Sequence, residues 1–296
     1  MKSNLKIWSC GSFVSAILMA SGSLASTLCT ATSTFNDHQG VNSSAWLADE
    51  ESGYCALTPD SLLLKVYEFG LCTGASSPSD KSNCTSLFTS DTGKVVDLAV
   101  GVSASLANDI SLPEGTYTNA YIVLSNETSL KATLEFDTSR TDFDGGSGKF
   151  CYTDGRSIDD DEPSIITCSN SPAGATHSVE TISFYGDEHS EFANQIPNYP
   201  ATVAGTQTTT DLYMIASDGQ LSTGFDQDFA IYGDQTLAQP VTISGASSIT
   251  TLDLGISVTN GISFGFYKDG DFSCNSADGC PGDAYFNGLK FVILAR

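Results

Sequence analysis

Short apolar runs with period-two alternation recur along this chain, separated by clusters of Gly, Asp, Ser, Asn and Pro. Such a pattern predicts strands and turns rather than helices. The segment that organises the rest is 94–126. In it Val95, Val96, Leu98, Val100 and Val102 make a β-branched run, Leu112-Pro113-Glu114-Gly115 supplies turn chemistry, and 116–124 alternates again. The expectation is strand, turn, strand. Thr118, Ala120, Ile122 and Leu124 form the buried face, and Tyr117, Asn119, Tyr121 and Val123 the other.

Further strands are expected at 62–69, 130–136, 149–152, 178–185, 212–216, 229–232, 241–243, 249–259, 262–266 and 289–294. Residues 165–166 continue the pairing of 149–152. In 130–136, Leu130, Ala132, Leu134 and Phe136 should point inward and Lys131 and Glu135 outward. Asn260-Gly261 predicts a two-residue hairpin between its flanking strands. Helix is expected only in short pieces, near 44–47 and 188–194. A loop is expected from 70 to 88, and a longer connection bearing Pro197 and Pro200 from 186 to 205. No repeat of fixed length and no heptad pattern occurs. The fold class is therefore all-β: an antiparallel β-sandwich, jelly-roll-like or Ig-like, with few short helices.

The first residues change the picture. Lys2 and Lys6 precede an apolar stretch over 7–20, and Ser23-Leu24-Ala25 fits a small-x-small cleavage site. Residues 1–25 thus read as a signal peptide, and 26–296 as one large sandwich domain with a possible subdivision near 186–210. That apolar stretch is too short to span a bilayer, and no later run is long enough. A secreted, periplasmic or cell-surface location follows.

Nine cysteines are present, and Cys10 lies in the signal. The remaining eight are Cys29, Cys55, Cys72, Cys84, Cys151, Cys168, Cys274 and Cys280, an even set that implies disulfides in an exported chain. Local pairing is expected: Cys29–Cys55, Cys72–Cys84, Cys151–Cys168 and Cys274–Cys280.

The formal net charge is −23, from 12 basic and 35 acidic residues. That balance excludes nucleic acid and anionic membrane surfaces as partners. It favours divalent cations, and calcium is the one cofactor considered. Asp142-x-Asp144-Gly145-Gly146 resembles the opening of a calcium loop without its third ligand, and Asp159, Asp160 and Asp161 offer hard oxygen atoms. Asp269-Gly270-Asp271 fails for want of the turn glycine, where Cys274 stands. The three histidines, His38, His177 and His189, have no metal-ligand spacing. No G-x-S-x-G elbow occurs, and paired glycosidase carboxylates are not identifiable from spacing. Trp46 and the tyrosines at 185, 199, 213, 232, 267 and 285 are candidates for stacking on sugars, and a coplanar exposed row would favour that role. Residues 26–39 offer a strand for addition to a neighbour's sheet edge. The resulting expectation is a structural or adhesive protein without catalytic activity, whose partners are further copies of itself or extracellular glycans. The alternatives are a carbohydrate- or calcium-binding module and, behind it, a glycan-directed hydrolase.

Overall fold

The computed structural model describes residues 52–99, 112–157, 165–182, 194–203, 206–224, 228–244, 252–258, 261–267, 280–286 and 290–295. The signal peptide, both expected helices, Cys29, Cys274 and Asp159–Asp161 lie outside them. Within them the protein is all-β and its sheets are antiparallel. One 3-10 turn, Pro172–Gly174, interrupts the strands. The strands divide between two units: residues 1–62, 128–181 and 258–288 make the first, and 63–127, 182–257 and 289–296 the second.

The first unit holds two three-stranded sheets. In one, β13 (Ile262–Tyr267) lies between β1 (Ser52–Leu57) and β14 (Cys280–Phe286). In the other, β6 (Ser147–Thr153) lies between β5 (Thr133–Thr141) and β7 (Ile166–Ser169). β14 packs against β5 and β7. Phe136 of β5 meets Phe266 of β13 edge-to-face with ring centroids 6.0 Å apart, and Ile165 N–H donates to the Gly282 carbonyl. This is the sandwich arrangement that alternating strands require when one face of each sheet is apolar.

The second unit is built on a larger sheet of order β3-β2-β4-β11-β10-β9. Its strands are β2 (Ser61–Cys72), β3 (Cys84–Leu98), β4 (Gly115–Lys131), β9 (Gln195–Val203), β10 (Thr206–Ile215) and β11 (Ala230–Ile243). A two-stranded sheet of β12 (Leu252–Ser257) and β15 (Lys290–Ala295) stands beside it, with β15 packed on β9 and β11.

Several expectations need correction. The segments around 95–98 and 116–124 do not form a hairpin, because β2 lies between β3 and β4. Gly115 opens β4 itself, with no positive φ. The apolar run of β2, with Leu62, Leu64, Val66, Phe69 and Leu71 buried, needs a neighbour on each side, whereas largely exposed β3 suits an edge. Asn260-Gly261 does not join paired strands either: Gly261 N–H closes a turn on the Val258 carbonyl, but β12 pairs with β15 and β13 with β1 and β14. Turn chemistry is local, and pairing is settled by burial. On β4 both faces are buried, the expected outer residues Tyr117, Asn119, Tyr121 and Val123 included; Cys72 packs with Tyr121 and Val123 on that face.

The connection expected over 186–205 carries β9, an edge strand where proline is tolerated. A bulge there leaves Asn198 at φ 55°, with its N–H donated to Asp211 Oδ1 at 2.7 Å. The two strands expected at 229–232 and 241–243 are one, β11, whose Pro240 sits in a bulge between Thr236 and Val241. Alternation does hold over 130–136, with Leu130, Ala132, Leu134 and Phe136 buried.

Candidate functional site

Two constellations of polar side chains stand out, one in each unit. In the first unit Asp142 opens the β5–β6 turn, and both of its carboxylate oxygens are engaged by the backbone. Oδ1 accepts Gly146 N–H at 2.8 Å, and Oδ2 accepts Cys168 N–H at 2.6 Å. Its own N–H donates to the Gly146 carbonyl, and Gly145, at φ 84°, closes the turn on the Asp142 carbonyl. The residue is buried, and burial pushes its carboxyl above the usual range against these hydrogen bonds. Asp144 is exposed and bonds Arg156, whose guanidinium also takes Asp154 through Nε at 2.9 Å and Nη2 at 2.6 Å. Asp154 further accepts Thr167 Oγ1 at 2.8 Å. Burial would raise the Asp154 carboxyl, but the bonds from Arg156 and Thr167 win and hold it below its ordinary 3.8. Asp142 and Asp144 are therefore neighbours in one turn with different duties, the first bracing β7 and the second pairing with Arg156. Among the described residues no three His, Cys, Asp or Glu side chains gather as metal ligands would.

Arg156→Ala should lower stability by about 1–2 kcal/mol near neutral pH, since it removes charge-assisted bonds to a mostly buried carboxylate. A group whose folded value is depressed contributes above its unfolded value and loses that contribution as pH falls through the folded one. The gap between wild type and variant in urea unfolding should therefore close below pH 3.8. A gap independent of pH would show that Asp154 does not carry it.

The constellation in the second unit surrounds Asp234 on β11. Tyr232 and Asp234 share a face with Tyr121 and Val123 of β4, through the pairs Tyr232↔Val123 and Asp234↔Tyr121. Tyr213 and Asp211 of β10 continue it through Tyr213↔Tyr232 and Asp211↔Asp234. The Tyr121 and Tyr232 rings stack at 5.6 Å and 10°, and Tyr213 meets Tyr232 edge-on at 5.9 Å. Cys72, Val123, Ile215 and Ala230 complete the apolar cluster.

The loop 73–83 joins β2 to β3 and brings Ser76 to Asp234. Oδ2 accepts Ser76 N–H at 3.0 Å and Ser76 Oγ–H at 2.5 Å, while Oδ1 accepts Asn119 Nδ2 at 2.6 Å. Ser76 Oγ lies 2.6 Å from Tyr232 OH, so with its own proton given to Asp234 it accepts the phenol's. Asp234 is buried, and among the described residues no cation pairs with it. Burial raises its carboxyl above the ordinary value, opposed by the bonds from Ser76 and Asn119, and Asp211 adds to the rise. Burial likewise raises the phenols of Tyr121 and Tyr232. At the edge of the cluster Glu68 accepts Tyr121 OH at 2.7 Å and Lys81 Nζ at 2.5 Å. The loop is closed by Cys72–Cys84 at its base and by the reciprocal Ser77–Asp80 backbone bonds near its tip.

Of the stacking candidates, Tyr213 and Tyr232 join this cluster; Tyr232 is 1% exposed and Tyr213 half-buried. Tyr199, Tyr267 and Tyr285 lie on β9, β13 and β14, and Trp46 and Tyr185 lie outside the described residues. His177 Nε2 is 2.8 Å from Ser61 Oγ. Cys72–Cys84 and Cys151–Cys168 are formed as expected. Cys55 and Cys280 are disulfide-bonded as well. Sequence reading did not single out Ser76, Asn119 or Asp234. The one signal for them is an aspartate inside an apolar strand, two residues from a tyrosine.

Compared with protein-family models, curated proteins and solved structures, the chain matches none.

Proposed function

We propose that this chain is a secreted or cell-surface structural and adhesive β-sandwich protein that works through its surfaces rather than by catalysis. One observation carries the reading: the carboxylates of both constellations are bound to the chain's own donors. A general acid or base must face a substrate, whereas Asp142, Asp154 and Asp234 face backbone amides, Arg156, Ser76 and Asn119. The disulfides suit an oxidising compartment, which supports export. No helix among the described residues is long and apolar enough to cross a membrane.

Self-association has a candidate surface. Among the described residues β3 is an end strand of its sheet, and Val95 on it is 63% exposed. β9, at the other end, is blunted by Pro197, Pro200 and a bulge, while β3 has no proline. Sedimentation velocity on residues 26–296, from micromolar to near-millimolar concentration, tests the reading. Concentration-dependent assembly that Val95→Lys weakens is expected. A strict monomer that also fails to adhere to glycan-coated surfaces would overturn it.

A carbohydrate-binding reading is the second: the tyrosines of adjacent strands β4, β11 and β10 are neighbours, but Tyr121 and Tyr232 are buried and Tyr213 stands edge-on, so it requires the loop 73–83 to move aside.

A further inference from the structure

We infer that the loop 73–83 is a displaceable strap over a site for a neutral saccharide, formed by Tyr121, Tyr232, Asp234 and Asn119, with Ser76 holding the place of a sugar hydroxyl. The inference deepens the carbohydrate-binding reading and does not need self-association.

It starts from an arrangement that is costly as mere scaffolding. A buried carboxylate without a cation partner is unfavourable unless donors surround it. Two of the three donors to Asp234 come from one loop residue, Ser76, and the third from Asn119 on a neighbouring strand. The sheet itself therefore supplies a donor to Oδ1 alone, and a group that enters from the loop side completes Asp234 at Oδ2. Ser76 does so with a hydroxyl that donates to the carboxylate and accepts from the Tyr232 phenol. A sugar hydroxyl offers the same donor and acceptor.

The surroundings suit the rest of a pyranose. The Tyr121 and Tyr232 rings stack on each other at 5.6 Å and 10°, and their hydroxyls meet Glu68 and Ser76, so lifting the loop uncovers a polar rim beside apolar rings, the combination that recognises amphipathic rings. Charge selects among saccharides. A protein of net charge −23, with Asp211 beside the site and Glu68 there paired with Lys81, disfavours uronates and sulfated sugars and leaves neutral ones. The covering loop is fastened at its base by Cys72–Cys84, so it can lift without being lost from the site.

A strap that must open first lowers the apparent affinity by the fraction of molecules in which it is open. Weakening its latch should therefore tighten binding. Calorimetry of residues 26–296 with maltohexaose and with cellohexaose is the test. Ser76→Ala should bind one of the two at least about tenfold tighter than wild type, and adding Asp234→Asn to Ser76→Ala should abolish the gain. The unmutated chain gives an independent reading, because the Ser76 amide is itself a latch bond: saturating saccharide should speed its hydrogen exchange while the β4 and β11 amides stay protected. If Ser76→Ala binds neither hexasaccharide more tightly than wild type, or if Ser76 exchange is unmoved by saccharide, the strap is not displaceable and the proposal falls. A chain that stays monomeric yet gains affinity in this way retires the assembly reading and keeps this one. A chain that assembles and never responds does the reverse.

Discussion

Replacing Cys72 and Cys84 together by alanine should lower stability by about 3 kcal/mol and Tm by about 6–12 °C, and the loss should centre on the loop between them. The cysteines are 12 residues apart in sequence, and in the chain-entropy account a loop of that order owes about this much to its cross-link. Cys72 ends β2 fully buried, in the cluster with Tyr121 and Tyr232, so its removal also takes a sulfur atom from that packing. The two effects act on different states. Losing the cross-link relaxes the unfolded chain, whereas lost packing loosens the native loop. Calorimetric unfolding reads their sum, and amide exchange at Ser76, whose N–H is bonded to Asp234, reads the native part alone. Faster exchange at Ser76 with unchanged exchange in β6 and β7 is expected. Uniform acceleration would mean that the bond acts only through global stability.

The parts of this fold that were readable are those fixed by neighbours in sequence. The alternation of Leu130, Ala132, Leu134 and Phe136 lies within seven residues, and burial follows it. Cys72–Cys84 and Cys151–Cys168 were legible because each closes a short polar loop. Pairing between distant strands was not. Pro113-Glu114-Gly115 and Asn260-Gly261 carry turn chemistry, but β2 intrudes between β3 and β4, and β12 and β13 go to different sheets. What decides those partners is how much apolar surface each strand must cover, a property of the whole chain.

The candidate sites divide in the same way. Asp142 and Asp144 were visible as a D-x-D-G turn, and that turn exists. The use of Asp142 depends on Cys168, 26 residues on, and so was hidden. Asp234 needs Ser76, 158 residues away, and Asn119, 115 away. The tyrosines of 116–124 looked like an outer face because only one strand was in view; the loop above them comes from another part of the chain.

Asp142→Ala should be the most damaging single change considered, at about 4 kcal/mol by denaturant unfolding. Each bond from a backbone amide to a carboxylate contributes about 1.5–3 kcal/mol, and the substitution leaves the Gly146 and Cys168 amides without their acceptor in a buried place. Asn should recover less than half, because its amide nitrogen would face one of the two N–H donors. The pH dependence has a definite sign. Burial holds the Asp142 carboxyl above its ordinary 3.8 in the folded state, so between those values the native protein keeps a proton that the unfolded chain releases. The stability this group provides therefore grows as pH falls toward 3.8, and so should the penalty of Asp142→Ala. Cys168 belongs to the same linkage. It faces Cys151 directly across β6 and β7 and is bonded to it, while its N–H holds Asp142. Without the disulfide, β7 is less firmly placed and the carboxylate has less to brace. Combining Asp142→Ala with Cys151→Ala and Cys168→Ala should accordingly cost at least about 0.5 kcal/mol less than the separate losses added. Strict additivity would mean that the turn and the disulfide stabilise this sheet independently, and that Asp142 acts on the β5–β6 turn alone.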